Sequence, residues 1–90
     1  MTHEITTSLM AADILSRAKA FFAERVPNNA AYPEREGSTF LTLRGQGGEE
    51  IAFAVMPAPG GSRIRASALF FDQAVQRFLS TLPEPVEVAR

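Results

Sequence analysis

Hydrophobic and polar positions alternate with two different periods along this chain, and the changes of period mark its elements. From Thr2 to Leu9, the residues His3, Ile5, Thr7 and Leu9 alternate with Thr2, Glu4, Thr6 and Ser8, which is the period-two pattern of a strand rich in β-branched threonine. From about Ala11 to Val26 the period lengthens. Ile14, Leu15, Ala18, Phe21, Phe22 and Val26 recur at helical spacing, while Asp13, Arg17 and Glu24 fall on the opposite side. Ser8 is the expected N-cap of this helix, and Pro27 ends it by removing a backbone donor and clashing with the preceding turn. Residues 28–37 (NNAAYPEREG) carry no period and predict a connecting loop that holds Tyr32, Pro33 and Gly37.

Three further segments alternate: Ser38 to Arg44, Glu50 to Met56 and Ser62 to Phe70. The linkers between them, GQGGE and PAPGG, are turn chemistry, so consecutive segments are expected to pair as an antiparallel meander. A second helix is predicted over about Asp72 to Thr81, with Val75, Phe78, Leu79 and Leu82 along one side, Asp72 as N-cap and Pro83 just past its end. Residues 83–90 are expected to form an extended or disordered tail after a single domain spanning 1–82. The predicted class is α+β: an antiparallel sheet of about four strands, in the chain order β-α-β-β-β-α, with both helices on one face.

The apolar faces of neighbouring strands must coincide, because a slip of one residue turns every core side chain outward. The simplest pairing that satisfies this sets Leu43 beside Ile51, Arg44 across from Glu50, Val55 beside Ile64 and Phe53 beside Ala66. The same register gathers Phe40, Thr42, Ala52, Ala54, Met56, Arg65 and Leu69 on the opposite face. A face with alanines in its middle and Phe40, Met56 and Leu69 at its border is expected to be covered, by a helix, a second copy or a small apolar ligand.

Composition narrows the choice. Ninety residues, 46% of them hydrophobic, suit one core, and a domain this small buries a modest fraction of its surface, which makes pairing with a copy of itself an expected source of stability. The absence of cysteine removes disulfides, thiolate metal sites and cysteine nucleophiles, and fits a cytoplasmic location. No apolar run reaches the length of a membrane span, and the net charge of -1 supplies no global field toward nucleic acid or an anionic membrane.

The candidate chemistry is sparse. PAPGG leads into a strand, whereas a phosphate-cradling loop leads into a helix, so it is expected to be a hairpin connection. His3, the one histidine, sits beside the chain start and is expected to be a frayed surface residue, which leaves the serines and threonines without a base. Glu34, Glu36, Glu49 and Glu50 are expected to be solvated, with no metal motif and no cofactor implied. Tyr32 and Arg35 could line the mouth of a pocket from their loop. The residues point to a non-catalytic role.

The order strand, helix, meander, helix, together with ITTSLMAADILSRAKAFF, MPAPGGSRIRASA and FDQAVQRFLSTL, resembles the START-like (polyketide cyclase and lipid-transfer) domains. In that family a long C-terminal helix grips a curved antiparallel sheet over an apolar cavity. This chain has fewer strands and a shorter last helix, and a lipid-sized cavity demands more wall than ninety residues provide. The resemblance therefore implies a shortened relative that completes its sheet or cover by dimerising. It also implies a second reading, a small apolar ligand held by Phe40, Ala54, Met56 and Leu69 or by the loop around Tyr32.

Overall fold

The computed structural model describes residues 2–24, 31–45, 48–68 and 71–84. Its elements are β1 (Thr2–Thr7), α1 (Ala11–Glu24), β2 (Tyr32–Glu36), β3 (Phe40–Arg44), β4 (Glu50–Ala58), β5 (Gly61–Ala68) and α2 (Asp72–Ser80). They build an α+β fold in which a five-stranded sheet, ordered β1-β5-β4-β3-β2, is antiparallel throughout. The meander register is the one expected from the simplest pairing of apolar faces: Leu43 pairs with Ile51, Arg44 with Glu50, Phe53 with Ala66 and Val55 with Ile64.

β2 is the fifth strand, and it lies where the sequence suggests a loop. Tyr32 pairs with Arg44 and Glu36 with Leu41, with a bulge between Pro33 and Arg35. The run Tyr-Pro-Glu-Arg-Glu has no apolar face of its own, so main-chain pairing to β3 decides its conformation; proline, which lacks an N–H, is tolerated because β2 is an edge.

Both helices pack on the same face of the sheet, as expected. Ile14, Ala18, Phe22, Val75 and Phe78 bury themselves against Leu41, Leu43, Ile51, Phe53, Ile64 and Ala66. The ring of Phe53, rising from the central strand, meets Phe22 of α1 at 6.0 Å and Phe78 of α2 at 5.7 Å between centroids, in tilted and edge-on arrangements. Such geometry aligns ring edges with π faces and adds to the burial itself. One aromatic cluster thus joins both helices to the middle of the sheet.

The helix starts differ from expectation. The first helical hydrogen bond of α1 runs from the Ile14 N–H to the Met10 carbonyl, so Ser8 lies upstream of the cap position. In α2 the cap position is Phe71, without a side-chain cap, and Asp72 is the first helical residue. Its carboxylate is turned aside to His3, whose Nε2 stands 2.9 Å from Asp72 Oδ1. His3 is accordingly no frayed surface group: it lies on the core side of β1, opposite Ala66, with its side chain only 11% exposed. Val26, Pro27 and the tail from Pro85 onward lie outside the described residues. Pro83 is tied back to the sheet, its carbonyl accepting a 2.6 Å hydrogen bond from the buried Thr7 hydroxyl.

PAPGG is a hairpin connection. Ala58 pairs with Gly61, leaving Pro59 and Gly60 as the turn, and Gly60 has the positive φ of 82° that a Pro-Gly turn requires. Gly61, at φ 152°, runs so close to the Thr7 carbonyl that a side chain there would collide with it.

Candidate functional site

Among the described residues nothing packs over the face of the sheet away from the helices, and its side chains fall in rows set by the strand register. One row runs Thr2, Ser67, Ala52, Thr42, Arg35 across β1, β5, β4, β3 and β2. The next runs Glu4, Arg65, Ala54, Phe40, and a third Thr6, Arg63, Met56. Of the expected residues, Phe40, Thr42, Ala52, Ala54, Met56 and Arg65 therefore share one surface. Leu69 lies outside the described residues. Tyr32 belongs to this surface as well, through its pairing with Arg44 in β2, and does not sit in a loop.

Ala54, Arg65 and Ser67 are exposed and Ala52 and Thr42 half-buried. Phe40 and Met56 retain 45% and 43% of their surface, and Tyr32 retains 56%. These are large apolar side chains left in water around a central strand of alanines. The Phe40 ring leans over Gly37, whose N–H donates to the Phe40 carbonyl at 2.9 Å; a Cβ at Gly37 would strike the ring. The missing side chain at Gly37 thus leaves room for the ring.

The charges on this face are mostly answered. Arg44 donates to Glu34 from Nε at 3.1 Å and Nη2 at 2.7 Å, and to the Gly48 carbonyl from Nη1 at 2.8 Å. The hydrogen bond to Glu34, aided by the charge of Glu50, raises the guanidinium pKa further above its ordinary value. Glu34 occupies the β2 bulge, which aims its side chain at Arg44. Arg63 faces Glu4 at 4.0 Å. With Arg44 two strands away from Arg63 and Arg65, no cluster of free cations converges here, as phosphate recognition needs.

Two grooves flank the sheet. One, of about 330 Å³, lies where β1 meets α2 and is lined by His3, Glu4, Ile5, Gln76, Leu79 and Ser80. The His3 hydrogen bond holds the Asp72 carboxyl below its ordinary pKa. Ser80 Oγ donates to the Arg77 carbonyl at 2.7 Å, so this hydroxyl is not poised against the histidine as a nucleophile. The other, of about 320 Å³ and more apolar, lies between the start of α1 and the β4–β5 hairpin, with Met10, Val55, Met56 and Pro57 in its wall. Among the described residues, no group of three His, Asp or Glu side chains is placed to hold a metal, and no helix is long and apolar enough to cross a membrane.

Glu4 and Gly37 belong to the open face but escape sequence reasoning. Glu4 is on the polar side of β1's alternation, yet nothing in the sequence names the strand that β1 adjoins. Gly37 resembles any loop glycine until the Phe40 ring is seen above it. No family model matches the chain, and neither a curated protein nor a solved structure matches it.

Proposed function

We propose that the protein is a non-catalytic interaction domain that binds a second copy of itself through the open face of its sheet. The observation that carries this reading is the exposure of Phe40, Met56 and Ala54 on one surface while both helices occupy the other. Alanines on the central strand allow a second sheet to approach to the ordinary face-to-face spacing of about 10 Å, and the flanking apolar side chains gain from leaving water. A chain without cysteine fits a cytoplasmic setting for such a dimer. Light scattering coupled to size exclusion tests it directly: a dimer mass is expected at micromolar concentration, and a monomer mass sinks the reading.

A small apolar ligand, in the manner of a START-like domain, is the second reading. It is favoured by the groove of about 320 Å³ that Met56 helps to line. Native mass spectrometry of the purified protein is then expected to find a co-purified hydrophobic molecule.

A further inference from the structure

The open face is divided into two unlike halves about its central strand. β4 stands in the middle of the order β1-β5-β4-β3-β2 and contributes Ala52 and Ala54. On one side β5 contributes Arg63, Arg65 and Ser67, with Glu4 of β1 opposite Arg65; on the other β3 and β2 contribute Phe40, Thr42 and Tyr32, with Arg35 and an Arg44 that is paired to Glu34. In the row through Ala54, Arg65 and Phe40 are its two immediate neighbours, so they stand one strand spacing to either side of it. Arg65 is exposed and forms no ion pair among the described residues, unlike Arg44 and Arg63. Phe40 presents an exposed ring that lies over Gly37.

A surface of this kind complements its own copy. An axis along β4, lying between two facing sheets, keeps each row at its own height and exchanges left for right. Ala54 then faces Ala54 of the second chain, and each Arg65 comes over a Phe40 ring; the row below sets Ser67 over Thr42 and Thr2 over Arg35. An axis across the strands would instead stack β5 on β5 and bring Arg65 against its own copy, which like charge disfavours. The small central residues let the sheets close, and the twist of each keeps the two strand directions within about 30°.

Resting on the self-association reading above, we propose that two copies meet about a two-fold axis running near β4, with the guanidinium of Arg65 in each chain stacked on the Phe40 ring of the other. The contact is isologous, so one pair of residues is used twice. The same axis places Glu50, at the start of β4, beside its copy at the rim, where Arg44 attends it at 3.4 Å.

Sedimentation equilibrium of the full chain and four variants tests this. Arg65→Ala is expected to weaken the dimer about tenfold or more, since two cation–π contacts are lost. Phe40→Arg is expected to dissociate it, and the double variant Phe40→Arg/Arg65→Phe to restore it, because the exchange rebuilds the same pair with the roles reversed. Glu50→Gln is expected to tighten association severalfold by relieving the rim contact. Circular dichroism confirms that each variant is folded, as the exposure of all three positions implies. A wild-type chain that stays monomeric overturns the self-association reading and this arrangement with it. A wild-type dimer that ignores Phe40→Arg, or a double variant that stays monomeric, overturns only the axis and the Arg65–Phe40 pairing.

Discussion

His3 Nε2 and Asp72 Oδ1 lie 2.9 Å apart although 69 positions separate them in the chain, so the first strand is fastened to the first turn of the last helix. This contact explains why Asp72 forgoes the cap role that its position before a helical stretch suggests. It also gives the fold a defined response to acid. The His3 hydrogen bond holds the Asp72 carboxyl below its ordinary pKa. A carboxylate whose pKa is lower in the folded chain contributes stability that is fully present above its unfolded value, about 4, and is lost as pH falls through the folded value. The thermal midpoint is therefore expected to drop in acid below about pH 4, and Asp72→Asn to flatten that part of the profile. Unfolding followed by circular dichroism between about pH 2 and 6 checks this; an unchanged slope in the variant would assign the acid response elsewhere.

The aromatic cluster should be the costliest place to remove atoms. Phe53 is 2% exposed and touches rings from both helices. Phe53→Ala is expected to cost about 3–5 kcal/mol, since it removes buried surface and leaves a cavity that three elements would have to close. Urea denaturation measures the loss, and a cost under about 1 kcal/mol would mean that the sheet and helices repack freely.

Gly61 is constrained by backbone alone. At φ 152° and pressed against the Thr7 carbonyl, it has no room for a Cβ. Gly61→Ala is expected to destabilise by roughly 2–3 kcal/mol through strain in the hairpin and displacement of β1's end. By contrast Gly48, whose Cβ would meet open space, carries only the penalty of its φ of 89°, so Gly48→Ala should cost less. Thermal midpoints of the two variants, compared side by side, decide the order.

A charge at the centre of the open face should act on association and spare the fold. Ala54 is exposed, so Ala54→Glu is expected to remain folded but to run as a monomer in size exclusion with light scattering. Ala12, exposed on α1, supplies the control: Ala12→Glu should leave the mass unchanged. An Ala54→Glu chain that still dimerises would move the interface to another surface.

The meander and its register were legible because Leu41, Leu43, Ile51, Phe53, Val55, Ile64 and Ala66 repeat with period two, which fixes the parity of the pairing, and the short linkers favour the simplest alignment of that parity. The same alignment puts Phe40, Ala54 and Arg65 on one face, and the structure sets them in one row. β2 was not legible, since Pro33 and three charged residues conceal a strand held only by its neighbour's main chain. Nor was the His3–Asp72 contact, which depends on β1 lying beside β5 and under α2, a long-range placement that local periodicity does not encode. Glycine at position 37 is the same case: its meaning comes from the ring that covers it.

The proline and the bulge in β2 reach beyond that strand. Among the described residues β1 pairs with β5 alone, and an edge-to-edge contact between β1 of one chain and β2 of the next would be head-to-tail, free to run on into a fibre. Pro33 withholds an N–H and the kink at Glu34 spoils the spacing of the rest, so one end of every sheet refuses extension. The β2 end of the sheet is thus a poor template for a neighbouring strand, which disfavours open-ended growth from it.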